Sequence, residues 1–233
     1  MSYQALASVY DGFFEAEYVQ KILQRYRRIL TDFGVARGDI LDMGCGTGRL
    51  SLALAQGGAK VCGVDPDAAM LACAQEKSQE IRWQCCTLPQ VEGAGRFDAV
   101  TASLDVVNHI TDEQELLDSF CAAKRLLRRG GVLVFDINTE KKFRRVYGQN
   151  AYVFRAPEAF AAWENDYDEQ DELCRFTVDV FTRCGDHYHR KTDVIYERLY
   201  REDQLKELLR KAGFHTVWIQ SMDQGTRHVY IAK

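Results

Sequence analysis

Five short runs of mainly apolar residues, at 39–43, 60–64, 81–85, 97–103 and 132–137, punctuate this chain and read as strands. The last is continuous, which predicts a strand covered on both faces. Helical spacing fills the intervals at 49–56, at 70–77 behind an Asp67 N-cap, and at 112–128. The third of these opens on Thr111-Asp-Glu-Gln, gathers Arg125, Arg128 and Arg129 at its end, and meets Gly130-Gly131 as a stop. Residues 2–10 and 15–33 read as two further helices, with apolar positions at Tyr18, Ile22, Tyr26 and Ile29, and Asp11-Gly12 as the break between them. Strands that alternate with helices predict an α/β sheet.

The pattern changes after residue 137. Tyr152, Phe154, Trp163, Tyr167, Phe176, Phe181, Tyr188 and Tyr196 lie among alternating polar positions. Residues 176–181 and 193–196 read as strands, with Cys184-Gly185-Asp186 as a turn. Helical spacing returns at 201–213, and strands at 214–220 and 227–231 are joined through Asp223-Gln-Gly-Thr. The predicted organisation is a core of residues 1–137 and 201–233, carrying an N-terminal helical cap (1–36), with a small antiparallel sheet (138–200) inserted as a substrate lid.

Composition narrows the classes. A chain of 233 residues holds one α/β domain with an insertion. Net charge is −4, which supplies no overall basic field and counts against nucleic acid as partner. Eight cysteines without a Cys-x-x-Cys pair, with Cys85 and Cys86 adjacent, read as reduced thiols rather than a zinc site. Residues 1–30 have no leader-like pattern, and no apolar run reaches bilayer length. The expectation is a cytoplasmic protein without a membrane partner, monomeric or homodimeric.

The candidate chemistry lies at Leu41-Asp-Met-Gly-Cys-Gly-Thr-Gly48, where a strand runs through three alternate glycines into a helix. Glycines let a ligand approach the backbone, and the helix start offers unpaired N–H groups. The dinucleotide fingerprint fails, because the sixth position from Gly44 is Arg49 and from Gly46 is Ser51. Asp65 follows about twenty residues after the turn, the spacing at which an acid reaches ribose hydroxyls.

The run LDMGCGTG, followed by Gly63-Val-Asp65, resembles the first two motifs of the class I S-adenosyl-L-methionine (AdoMet) methyltransferases. The resemblance implies a Rossmann-like, seven-stranded, mostly parallel sheet with an antiparallel C-terminal hairpin, plus the inserted antiparallel sheet. It implies methyl transfer from AdoMet, leaving S-adenosyl-L-homocysteine, to a small-molecule acceptor. Gly44, Cys45, Gly46, Gly48, Asp65, Pro66 and Met70 would hold the cofactor, and Asp42 would meet its ammonium group. Related enzymes place an acid after the third strand for the adenine amino group. Here Gln84-Cys85-Cys86-Thr87 has none, and Cys85 and Cys86 are the candidates for lining that pocket. Tyr10-Asp11 looks like the pair whose tyrosine closes over the methionine end, and Tyr3 and Tyr18 compete for that part.

The end of the fourth strand should face the transferred methyl group, which makes Leu104, Asp105, Asn108 and His109 candidates, with His109 able to take a proton at neutral pH. The loop lacks the Pro-Pro-aromatic and Pro-Cys signatures of nucleobase enzymes. Tyr10, Asn108 and His109 are the catalytic candidates. The insert resembles the auxiliary sheet of glycine N-methyltransferase and the sugar N,N-dimethyltransferases, which implies substrate contacts from Trp163, Tyr167 and Arg175, alongside Tyr18, Asp105 and Asn108. No metal site is expected. Metal-assisted O-methylation through Asp105, Asp136 and Asn138, a non-catalytic AdoMet-binding regulator, and a methyltransferase acting on RNA or protein are the competing readings.

Overall fold

The computed structural model describes residues 3–13, 16–91 and 95–233. In chain order the strands are β1 (Asp39–Met43), β2 (Lys60–Asp65), β3 (Arg82–Cys85), β4 (Phe97–Ala102), β5 (Leu127–Asn138), β6 (Ala151–Ala156), β7 (Ala159–Asp168), β8 (Leu173–Cys184), β9 (His187–Arg198), β10 (Val217–Met222) and β11 (Arg227–Ala232). Helices are α1 (Tyr10–Phe13), α2 (Ala16–Asp32), α3 (Arg49–Gln56), α4 (Ala68–Lys77), α5 (Val106–His109), α6 (Glu113–Leu126), α7 (Glu140–Lys142) and α8 (Glu202–Lys211).

One sheet has the order β10-β11-β5-β4-β1-β2-β3. β1 to β5 are parallel, whereas β11 runs antiparallel to both β5 and β10. Apolar side chains fill both faces. Val64, Val100, Phe120, Phe135 and Tyr230 belong to one cluster, and Ile22, Tyr26, Ile40, Leu54 and Val134 to the other. This double burial is why residues 132–137 of β5 read as an apolar run, interrupted only by Asp136. The sheet has the Rossmann-like, seven-stranded, mostly parallel order with an antiparallel C-terminal pair that the resemblance implies.

The second sheet has the order β6-β7-β8-β9, antiparallel throughout. It is larger than its sequence pattern predicts. β6 is mostly exposed and offers no alternation to read, and β8 and β9 extend well past the predicted pieces. The N-terminal segment packs onto this sheet, since Leu6 and Phe13 share a buried cluster with Phe176, Val178 and Ile195.

Three predicted bounds need correction. The predicted helix at 112–128 stops at Leu126, and Gly130-Gly131 lie inside β5. There the ladder with β4 slips from Phe97–Leu127 to Ala99–Val132, so the extra residues form a bulge. The expected helix over 2–10 is a series of turns between residues 4 and 9, and Asp11-Gly12 sit inside α1 rather than breaking a helix. Asp193 causes part of this, because its carboxylate accepts the N–H groups of Ala5 and Leu6, at 3.0 and 2.9 Å. The expected helix starts at Ser2 and Glu15 lie outside the described residues.

Candidate active site

A cavity of about 490 Å³ opens at the carboxyl ends of the strands, where β1 is flanked by β2 and β4. That is the switch point at which open α/β sheets bind ligands. Gly44, Cys45, Gly46, Asp65, Pro66, Met70, Cys86 and Leu104 line it from the sheet side, with Tyr3, Tyr10 and His109 from above.

The three glycines of the turn answer to different neighbours. A Cβ on Gly44 would lie 2.5 Å from Val106, and one on Gly48 would lie 2.8 Å from the Trp83 ring. Those two allow α5 and β3 to pack closely. Gly46 is different: its φ is +54°, and an added Cβ would meet no protein atom within 4 Å. Gly46 also lines the cavity, so its bare backbone borders open ligand space.

Asp65 ends β2 with one carboxylate oxygen accepting Gly46 N–H at 2.9 Å and the other accepting Asp67 N–H at 2.8 Å. Burial pushes its pKa up, and the two backbone N–H bonds oppose that rise. The carboxylate therefore both fixes the turn and presents its remaining lone pairs to the cavity. Asp67 caps α4 through Ala69 and Met70 N–H groups, and also accepts the Tyr3 N–H at 2.8 Å. The N-terminal segment is tied across the cavity in this way. Asp11 adds a second tie, accepting the Thr47 hydroxyl at 2.7 Å and the Lys77 ammonium.

At the far end, Leu104 and Asp105 follow β4 with φ of +62° and +61°. Each such residue costs about 1–2 kcal/mol, so something must hold the pair. Asp136 does, accepting Leu104 N–H at 2.9 Å and Asp105 N–H at 3.1 Å. Asp136 is fully buried on β5 and also accepts the Tyr26 hydroxyl and the Arg227 guanidinium. Arg227 reaches Asp105 at 3.0 Å with its other terminal nitrogen. Burial alone would raise the Asp105 pKa, but Arg227 and Lys142 hold it well below the usual carboxylate range. Asn138 donates to Asp105 at 2.9 Å and to Glu197 at 2.8 Å, which joins β5 to β9 of the second sheet. Burial and the Asp105 charge push the Glu197 carboxyl up.

His109 sits over the cavity between these groups. Its Nδ1 lies 3.2 Å from the Tyr196 carbonyl, an acceptor only, so that nitrogen carries the hydrogen. Nε2 is then left as an acceptor, 3.3 Å from the Tyr3 hydroxyl. Burial lowers the pKa of His109, and Asp105 only partly offsets this, so the ring is neutral at pH 7. Asp105, His109 and Glu197 bring possible metal-ligand atoms within 4.8 Å of one another. However, Arg227 and Asn138 already occupy Asp105, and the Lys142 ammonium lies against Asn138 at 2.9 Å. Two built-in cations compete with a metal ion there.

Several sequence candidates stand elsewhere. Asp42 is 1% exposed and absent from the cavity wall, because Ser51 and Thr101 hydroxyls hold its two oxygens at 2.6 and 2.9 Å. Its pKa is raised to about 6 by burial, against those two bonds. Asn108 is fully buried and spends its amide on the backbone of Asn138 and Arg198, stapling the loop rather than facing a substrate. Cys85 is exposed with its thiol against the Pro66 carbonyl, so of that adjacent pair Cys86 is the one that borders the cavity. Tyr18 donates no wall to the cavity, and its hydroxyl meets Arg227 at 3.2 Å. Trp163 packs with Phe154 and Phe176, Tyr167 packs with Phe143, and Arg175 points to solvent on β8. None of those three lines the cavity, since the second sheet is held together by its own aromatics.

Sequence reasoning missed Asp136 and Arg227 as organisers of the site. The available signal was a carboxylate inside an otherwise apolar strand, which in a buried position demands a partner.

Residues 40–131 match the family model described as a methyltransferase domain. The putative methyltransferase GWCH70_2453 of Geobacillus sp. (strain WCH70) is 31% identical over 226 residues, covering 92% of this chain and 89% of that protein. The putative methyltransferase YqeM of Bacillus subtilis (strain 168) is 28% identical over 219 residues, covering 92% and 87%. An S-adenosylmethionine-dependent methyltransferase from Clostridium acetobutylicum ATCC 824 has a TM-score of 0.82 at 27% identity, over 92% of this chain and 91% of that one. The sugar N-methyltransferase KedS8 from Streptoalloteichus sp. ATCC 53650 has a TM-score of 0.75 at 20% identity, over 91% and 85%, a likeness of fold.

Proposed function

Since the chain belongs to the class I S-adenosylmethionine-dependent methyltransferases, we propose that it methylates an amine or hydroxyl of a small molecule held beneath His109 and Tyr3. The cavity fits the donor by two features of its wall. Gly46 leaves room where any side chain would intrude, and Asp65 offers carboxylate lone pairs for a ribose diol. The observation that carries the acceptor reading is the fixed tautomer of His109, with an unprotonated Nε2 over the cavity.

When bound, S-adenosylmethionine supplies an activated methyl group with its own leaving group. The protein's work is therefore alignment and proton removal. Asp136 and Arg227 hold the Leu104–Asp105 backbone that floors the acceptor end. His109 Nε2 takes the acceptor's proton once Tyr3 O–H gives way, and Asp105 nearby stabilises the imidazolium. Tyr3 and Tyr10 cover the cavity and exclude water. Incubation with S-adenosylmethionine and a fractionated metabolite pool tests the reading. S-adenosylhomocysteine should accumulate together with a methylated small molecule. Tight donor binding with no product from any fraction would overturn it.

Two expected results bear on individual residues. Asp65→Ala should weaken S-adenosylhomocysteine binding by about 1–3 kcal/mol, the cost of losing charge-assisted hydrogen bonds. Calorimetry giving unchanged affinity would refute the ribose assignment. Of the five histidines, His109 should titrate below the ordinary value of about 6.5. Ring-proton NMR, with His109→Gln to identify the signal, reads this directly, and a midpoint at or above that value would contradict the buried base.

A further inference from the structure

Buried and open positions alternate along β7, β8 and β9. One face of the second sheet carries Phe176, Val178 and Ile195 and is covered by the N-terminal segment. The opposite face is uncovered, yet it is not uniformly polar as a solvated sheet face would be. Of the five large apolar side chains that stand exposed among the described residues, three lie on it: Val153, Tyr188 and Tyr196. The first two are 59% and 55% exposed. Phe160 and Phe181 stack beside them with centroids 4.6 Å apart, and the Tyr188 ring meets Phe160 at 5.5 Å. A contiguous apolar patch on a sheet is a surface for association.

The register sorts the charges of this face into rows. One row crosses all four strands as Arg155, Phe160, Phe181 and Arg190. The next is Val153, Ala162, Asp179 and Thr192, in which Asp179 already accepts from Arg190 and Thr192 of its own chain. In the row after that, Glu164 stands exposed between Ala151 and Thr177. Asp166 then faces Arg175, and that pair cancels. Such an order is self-complementary under one in-plane two-fold and not under the other. An axis along the middle row lays the Glu164 row over the arginine row of a second copy, twice by symmetry. An axis along the strands would set arginine row on arginine row, which like-charge repulsion disfavours. The area suffices. Strands of ten to twelve residues beside the shorter β6 give a face of roughly 600 Å². Each partner in a stable interface contributes about 800 Å².

We infer that two copies of this chain form a two-fold dimer by packing the uncovered faces of their second sheets, with Glu164 of one protomer opposite Arg155 of the other. Val153, Phe160, Phe181 and Tyr188 supply its desolvated centre, and the Glu164–Arg155 contacts fix its orientation. The Tyr196 side chain lies in the same face, while its carbonyl accepts from His109, so β9 joins the interface to the active site.

Sedimentation equilibrium of the full chain over about 1–100 μM tests the assembly. Wild-type protein should run at twice the chain mass over most of that range. Phe181→Asp, Glu164→Arg and Arg155→Glu should each raise the dimer dissociation constant at least about tenfold. Glu164→Arg combined with Arg155→Glu should return it to within about threefold of wild type. That swap separates a docking contact from a disturbed fold, because a damaged sheet would not be repaired by a second substitution. A wild-type chain that stays monomeric throughout would overturn the inference. So would a dimer that none of the substitutions weakens, or a swapped chain as weak as its single variants.

Discussion

Arg227→Met should lower the melting temperature at pH 7 by roughly 10 °C, the largest stability effect expected of any single substitution in the site. Removing one partner of a buried ion pair costs about 3–5 kcal/mol, because the other charge stays buried and unpaired. For a chain of this size each kcal/mol is worth about 2–4 °C. Here two carboxylates, Asp136 and Asp105, lose the same guanidinium. The loss should depend on pH in a definite sense. In the native protein Asp105 is depressed by Arg227, so its contribution is fully present above the ordinary carboxylate value and fades as pH falls through the depressed one. In the variant burial dominates and the Asp105 carboxylate takes up a proton more readily. The gap between variant and wild type should therefore narrow as the pH falls below 7. A gap that stays constant, or a variant that melts with wild type, would refute the ion-pair account.

Gly46→Val should abolish donor and product binding while leaving a folded protein. The new side chain meets no protein atom, so packing does not oppose it. Positive φ costs about 1–2 kcal/mol for a residue with a Cβ, which lowers the melt by several degrees without unfolding the chain. The methyl groups occupy the space along which a ligand must approach the backbone. Far-UV circular dichroism should match wild type, with no heat on titration of S-adenosylhomocysteine. Retained binding would show that the glycine turn is not a ligand contact.

The sheet was readable because each strand announces itself locally. Residues 132–137 are apolar in sequence apart from Asp136, and the apolar ones are buried in the fold for that reason. Asp65 was readable for a similar reason, since its distance from the glycine turn follows from one βαβ unit. The polar network was not. Asp105 and Arg227 lie 122 positions apart, and Asp136 serves residues from α2, the β4 loop and β11 at once. Nothing local in the sequence states such a pairing. Asp42 and Asn108 stand off the cavity wall for the converse reason. Both are polar residues near a strand end, but each is saturated by partners that only the tertiary fold supplies. In the insert, composition does not say which aromatics pack within the sheet, and Trp163 and Tyr167 do.

Isothermal titration of the wild-type protein with S-adenosylhomocysteine tests the central claim most directly. The cavity beside Gly46 and Asp65 predicts one saturable site per chain, with a melting temperature that climbs as ligand is added. No heat and no thermal shift at millimolar ligand would contradict it.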